Sequence, residues 1–295
     1  MGQSKEHFKN FLFETVLRHF GDATYLKLRY FRHHKRVPNL TSPKKFTEKI
    51  TASKLESDDK LMKVCADKFA VREYVKSKIG NQYLIPMLGL YSDETELEGL
   101  TKIEVPFVLK ACHGSGWNCL ISEPSAPEVR SAIKQARAWM QWDYSIRGRE
   151  NQYAGIPRRV IAEEMLTAND GSIPYDYKFY CFGAGGSKLI FCQVDLDRYG
   201  DHQRVFRDAE WQEVPWAVLS KKSCQSTTAL EAPENYHQMI ELVRKLASEF
   251  SFSRIDLYNV DGKIYFGEIT FHPESGYGMH VTPSGKDLEL GALLP

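Results

Sequence analysis

Apolar residues Phe8, Phe11, Leu12, Val16, Leu17 and Phe20 recur at helical spacing and stop at Gly21, so the pattern predicts an amphipathic helix opening the chain. Further helices are predicted from Phe46, just after Ser42-Pro43, over 59–79 up to Gly80, over 126–143 and over 235–250. Strand-like runs fall at 83–90, 107–112, 159–166 and 175–182, the last returning past Gly183-Ala184-Gly185-Gly186 as a hairpin through 189–194. Segment 198–228 is polar and turn-rich without a clear period, and reads as either a long active-site loop or an irregular excursion. No internal repeat or low-complexity tract interrupts the chain. The strands outnumber what a helical bundle could use, so the expected fold class is α+β.

One hairpin carries more chemistry than the rest. Residues 254–270 read as two strands joined at Asp261-Gly262, with Arg254, Asp256, Glu268 and Thr270 set among apolar positions. A two-residue turn would pair Asp256 with Gly267 and send Glu268 to the other face. A three-residue loop, Val260-Asp261-Gly262, shifts the parity by one. It gathers Arg254, Asp256, Glu268 and Thr270 on one face and Ile255, Leu257, Tyr265, Ile269 and Phe271 on the other, and is preferred for that reason. Two carboxylates held together on a half-buried sheet repel, and call for a shared proton or a hard cation such as magnesium.

Composition bounds the picture without deciding it. A chain of 295 residues, 42% hydrophobic and 26% charged, is large enough for one big domain or two lobes. Its net charge of +1 argues neither for nor against a polyanionic partner. The locally basic run 27–36, with Arg29, Arg32, Lys35 and Arg36, reads as a solvated helix face or as a contact with an acidic polymer or membrane surface. Six cysteines show no C-x-x-C pair and no metal spacing with the nine histidines, which points to buried thiols in a reducing cytoplasm. Lys5, Glu6, His7 and Lys9 precede any apolar run, unlike a secretory signal, and no stretch approaches the roughly 20 apolar residues of a membrane helix.

Lys110 ends an apolar strand just before the loop His113-Gly114-Ser115-Gly116-Trp117-Asn118. Glycines let backbone N–H groups approach phosphate oxygens, and the lysine adds a point charge, so the pair reads as a phosphate site or as an ordinary strand lysine beside a turn. It is not a Walker A loop, and the spacing does not fit G-x-G-x-x-G. Glu163 and Glu164 sit at a strand edge with Leu166 and Asp170 beyond, an arrangement like a nucleotide-base hinge in which backbone groups read adenine and a carboxylate accepts from ribose. Lys178 adds a cation on the next strand, where a lysine ordinarily faces solvent.

The order Asp67-Lys68, Lys110 with its glycine loop, the hinge at Glu163–Leu166, Lys178, then Arg254-x-Asp256 and Glu268-x-Thr270 resembles the ATP-grasp superfamily. Within it, the stretches SPKKFTEK (42–49), ADKFAVREYV (66–75), VLKACHGSG (108–116), DYKF (176–179) and YFGEITF (265–271) resemble the TupA-like amidoligases of teichuronopeptide and acidic-polysaccharide biosynthesis. The resemblance implies an N-terminal helical region (1–60), a first lobe with the phosphate loop (61–165) and a second lobe with the metal site (166–295), the lobes clasping ATP. It assigns Lys68, Lys110, Lys178 and the loop His113, Gly114, Ser115 and Gly116 to the phosphates. Glu163, Glu164 and Leu166 fall to adenine and Asp170 to ribose, while Asp256, Glu268 and Thr270 would hold Mg2+. Thr270 stands where the wider superfamily often has asparagine. Arg254 and Lys178 would be catalytic, and His113 or His272 could accept an amine proton or be structural. The implied reaction joins an amino acid or other amine to a uronic-acid carboxylate of a surface polysaccharide through an acyl phosphate. An ATP-grasp phosphotransferase and a non-catalytic nucleotide-binding module are the alternatives. No feature points to nucleic acid.

Overall fold

The computed structural model describes residues 17, 19–56, 59–186, 188–196, 203–220, 224–226 and 229–295. The predicted opening helix therefore lies almost wholly outside the described residues. The basic run forms α1 (Asp22–His34), whose Tyr25, Leu26 and Tyr30 are buried. Two of its cations are turned inward: Arg36 pairs with Glu48 and Tyr30, and Arg29 bonds the Tyr277 hydroxyl. Helix α2 (Phe46–Ala52) follows.

The helix expected over 59–79 is broken in two, α3 (Lys60–Ala66) and α4 (Val71–Lys78). Asp67 is the cause. Its Oδ1 accepts from the amides of Phe69 and Ala70 at 2.9 and 3.3 Å, and its Oδ2 takes Arg159 at 2.6 Å, so its side chain starts a new turn as an N-cap would.

Two antiparallel sheets form the body. The first has the order β1-β4-β2-β3, from β1 (Met87–Tyr91), β2 (Phe107–Ala111), β3 (Asn118–Ile121) and β4 (Val160–Glu164). Helix α5 (Ala126–Gln141) closes its core with Val129, Ala132, Ile133, Ala136 and Met140 at the i, i+3, i+4 spacing of one helix face. Strand β1 begins later than the predicted 83, and β3 was hidden in the glycine loop's polar flank.

The second sheet has the order β11-β10-β5-β6-β7-β9. Its strands are β5 (Asp176–Phe182), β6 (Leu189–Leu196), β7 (Gln203–Asp208), the short β9 (Cys224–Gln225), β10 (Phe252–Val260) and β11 (Lys263–Thr270). The aperiodic 198–228 segment thus contains β7 and β9, together with β8 (Ala217–Leu219), which pairs with β12 (His280–Thr282). One face of the second sheet packs on α6 (Tyr236–Ala247) and on α3 and α4 through Cys65, Val71, Tyr74 and Val75. Part of the other face is covered by α2 and α7 (Ser284–Ala292). Residues 60–78 therefore pack on the sheet of the second lobe, and α2 is part of its core.

Candidate functional site

The uncovered part of that second face carries the chemistry. Paired residues lie in rows: Thr270, Arg254 and Tyr180; then Glu268, Asp256, Lys178 and Gln193; then Asp176, Asp195 and Arg204. Asp256 faces Glu268 directly, yet the turn is the tight one, because Val260 pairs with Lys263 across Asp261-Gly262, both at positive φ. A β-bulge changes the parity instead. Leu257 pairs with Phe266 and Asp256 with Glu268, leaving Gly267 unmatched. The expected three-residue loop is corrected accordingly, and so is the core face. Ile264 and Phe266 are buried before the bulge and Ile269 and Phe271 after it, while Tyr265 falls on the other side. A Cβ at Gly267 would stand 3.0 Å from the Asp256 carbonyl oxygen, which explains the glycine.

Arg254 clamps this pair. Its Nε and Nη2 donate to the two Asp256 oxygens at 2.7 Å each, and Nη2 also reaches Glu268 Oε1 and Thr270 Oγ1 at 3.1 Å. The Thr270 hydroxyl in turn donates to Glu268 Oε1 at 3.2 Å. Burial, with Asp176 and Glu268 nearby, pushes the Asp256 carboxyl above the usual range against the pull of Arg254 and Lys178. Glu268 goes the other way. Burial would raise its pKa, but Lys68, Arg254, Lys178 and Lys110 outweigh it and hold it at about 2. Cations from both sheets therefore converge on one carboxylate. Two carboxylates and a hydroxyl are hard oxygen donors and suit a divalent cation such as Mg2+, which commonly takes one or two carboxylates and substrate phosphates.

Lys178 is buried rather than solvent-facing. Burial disfavours its ammonium, and Asp176, Asp256 and Asp195 overcome that and raise its pKa. It pairs with Asp176 and lies 3.0 Å from Asp195 and 3.9 Å from Asp256. Asp195 and Arg204, 3.1 Å apart, were not foreseen. Asp195 could have been found as the one charged position in the strand Leu189–Leu196, whereas Arg204 lay in the segment without period.

A cleft of about 680 Å³ separates this face from the first sheet. Its walls include Ile85, Val108, Lys110, Leu120 and Glu164–Leu166 on one side and Asp176, Asp195 and Tyr258 on the other. The amides of Glu164 and Met165 are taken by the carbonyls of Pro86 and Pro106, at 3.0 and 3.1 Å. The Glu163 carboxylate is fully engaged, with Arg72 and Lys110 each at 2.7 Å. The side chain that the resemblance gives to adenine is thus held by two cations of the protein. Asp170 is exposed and accepts from the Ser172 amide within its own turn, and is not itself among the cleft-lining residues.

Lys68, presented by the Asp67 turn, donates to the Gly114 carbonyl at 2.6 Å. The loop rests on aromatic rings: a Cβ at Gly114 would meet Tyr144 at 2.8 Å and Trp117 at 2.9 Å. Gly116 has φ +70 and open space beside it, and Ser115 neighbours the Tyr153 hydroxyl. Of the two readings of His113, proton acceptor or structural residue, its surroundings favour the structural one. It is buried, its Nε2 lies 2.9 Å from the Trp139 carbonyl, and burial lowers its pKa. His272 is likewise buried, 3.2 Å from Ser53 Oγ, with a pKa driven far down by burial. Neither imidazole lines the cleft.

A family model described as TupA-like ATPgrasp matches residues 48–295. No curated protein matches the chain. Among solved structures, the D-alanine–D-alanine ligase of Helicobacter pylori is 16% identical, covers 79% of this chain and 62% of its own, and has a TM-score of 0.49. The L-amino acid ligase of Bacillus licheniformis is 13% identical, with 79% and 50% covered and a TM-score of 0.46. The ATP-grasp ligase PsnB, complexed with minimal precursor, Mg and ADP, is 9% identical, with 76% and 57% covered and a TM-score of 0.39. The chain thus spans less than two thirds of each of these structures, and likeness at this level bears on no residue or substrate here.

Proposed function

Since the chain belongs to the TupA-like ATP-grasp family, we propose that it is an ATP- and magnesium-dependent ligase joining an amine to a carboxylate. The observation carrying this reading is the pairing of Asp256 with Glu268 under the Arg254 guanidinium and Thr270, on the sheet that faces Lys110 across the cleft. Adenine lies along the backbone from Glu164 to Leu166, between apolar side chains such as Ile85 and Val108. Lys68, Lys110 and the loop amides at Gly114–Gly116 take the phosphates. Lys178, neutralised by its carboxylates, fixes Asp256 from below rather than reaching the nucleotide. Asp256 and Glu268, with Thr270 beside them, would hold magnesium, which neutralises charge on the transferring phosphoryl group.

A carboxylate is a poor electrophile in water. Transfer of the γ-phosphoryl group makes an acyl phosphate and ADP. The amine then attacks the carbonyl, a tetrahedral oxyanion forms, phosphate leaves and the amine loses a proton. Arg254 is suited to the acyl phosphate and the oxyanion, help worth about 3–4 kcal/mol per donor at such sites. The acceptor class we infer from the family is a uronic-acid carboxylate of a surface polysaccharide or its precursor, with an amino acid as the amine.

Purified protein incubated with Mg·ATP, a glucuronic- or galacturonic-acid glycan and pooled amino acids is expected to release ADP and phosphate and to yield a new amide mass. ADP with a stable phosphorylated product would replace the ligase by a phosphotransferase. Tight ATP binding without turnover would leave a nucleotide-binding module.

A further inference from the structure

We propose that Arg72 is a positioning residue that keeps the Lys110 ammonium available to a nucleotide phosphate. The inference rests on the nucleotide-cleft reading above. Glu163 is buried, with Oε1 taken by Arg72 Nη1 and Oε2 by Lys110 Nζ, each at 2.7 Å. Arg72 Nη2 also donates to the Ile85 carbonyl at 3.0 Å, and Ile85 lines the cleft. Lys110 does so too, but Arg72 is not among the lining residues.

The charge count gives the arrangement its meaning. A buried carboxylate paired with one lysine makes a neutral unit, and a phosphate would have to win the ammonium from it. A second cation on the same carboxylate leaves a net positive charge, and Lys110 is the member that reaches the cleft. Arg72 is suited to the task because its planar fork can bind Glu163 and the Ile85 carbonyl together. It belongs to α4, whose Val71, Tyr74 and Val75 are set in the core of the second sheet. Glu163 belongs to β4 of the first sheet. The contact therefore ties the charge at the phosphate site to the packing of one lobe against the other.

The experiment measures binding of Mg·ADP and of adenosine by calorimetry. Arg72→Met is expected to weaken ADP about tenfold, the scale of one charge-assisted hydrogen bond, and to leave adenosine within about twofold. Adding Glu163→Gln should return ADP to within about threefold of wild type, because a neutral amide no longer holds Lys110. Arg72→Lys, which keeps the charge, should retain most of the affinity even where Arg72→Met is poorly folded. Unchanged ADP binding in Arg72→Met, equal loss of ADP and adenosine, or no recovery in the double variant would each overturn the role of Arg72. A wild-type protein that binds neither adenosine nor ADP would instead overturn the cleft reading itself, and this inference with it.

Discussion

Beside the first-sheet wall of the cleft, Lys110 of β2 and Arg72 of α4 share a single carboxylate, Glu163, whereas on the face of the second sheet Lys178, Arg204 and Arg254 stand among Asp176, Asp195, Asp256 and Glu268. The Glu163 cluster has one more cation than carboxylates, and the cluster on the second sheet has one more carboxylate than cations. A polyanion such as a nucleotide phosphate suits the one, and a divalent cation suits the other. On the function proposed above, the two clusters together would serve a metal-bound phosphate that neither suits alone. The contrast also explains two strand lysines with different lives. Lys110 has a partner shared with another cation and an open cleft beside it, while Lys178 is buried under three carboxylates.

The sharpest way to break this comparison is to remove the negative surplus. Glu268→Ala is expected to lower ADP formation about 10³-fold or more, by removing a carboxylate from the metal face, while adenosine binding stays intact. Turnover equal to wild type would remove the metal assignment. Lys178→Met should come next. It removes the lysine shared by Asp176, Asp195 and Asp256, leaving the last two to Arg204 and Arg254, and should cost about 3–5 kcal/mol in denaturant unfolding at pH 7. A loss below about 1 kcal/mol, the scale of an exposed pair, would mean that the carboxylates find other partners.

Lys54 provides a buried lysine outside the cleft for comparison. It is 1% exposed, donates to the Gly148 carbonyl at 2.9 Å, and lies 3.9 Å from the Glu150 carboxylate. Burial pushes its pKa down to about 8, against the raising effect of Glu150. Below pH 8 the lysine is charged in both folded and unfolded chains. Between about 8 and the ordinary lysine value near 10.4 the unfolded chain binds more protons, so this residue's contribution to stability rises with pH. Relative to Lys54→Met, the wild type should gain about 1–3 kcal/mol between pH 7 and pH 10. A flat difference would show that the lysine stays charged throughout. The smallest effect belongs to Gly114→Ala, whose methyl group would crowd Tyr144 and Trp117. It should shift the phosphate loop and weaken Mg·ADP by about tenfold or less, with adenosine unaffected. Equal weakening of both ligands would place the loop against the base instead.

Local pattern made much of the fold legible. Helix α5 and strands β2, β4, β5 and β6 follow from apolar spacing, because each has one face that must be buried. The same signal failed where polar residues line a strand for function. Strand β7 carries two buried arginines, Arg204, which meets Asp195 and Glu274, and Arg207, which donates to the neighbouring Phe206 carbonyl. At His113, Glu163 and Lys178, residue type alone led to the wrong surroundings. Whether an ionisable side chain meets solvent, a carbonyl or three carboxylates depends on chain segments distant in sequence.

The hairpin of Asp256 and Glu268 divides the two kinds of information most clearly. By itself the sequence determined that a cation, two carboxylates and a hydroxyl lie within reach of one another on paired strands, with Asp261-Gly262 as the turn. Only the tertiary structure decided how they come to share a face. The tight turn alone would have separated Asp256 from Glu268, and the bulge at Gly267 brings them together. A bulge there lets Ile264 and Phe266 on one side of it, and Ile269 and Phe271 on the other, all enter the core beneath α4 and α6. Burial of those four side chains favours the register that also sets the carboxylates opposite each other.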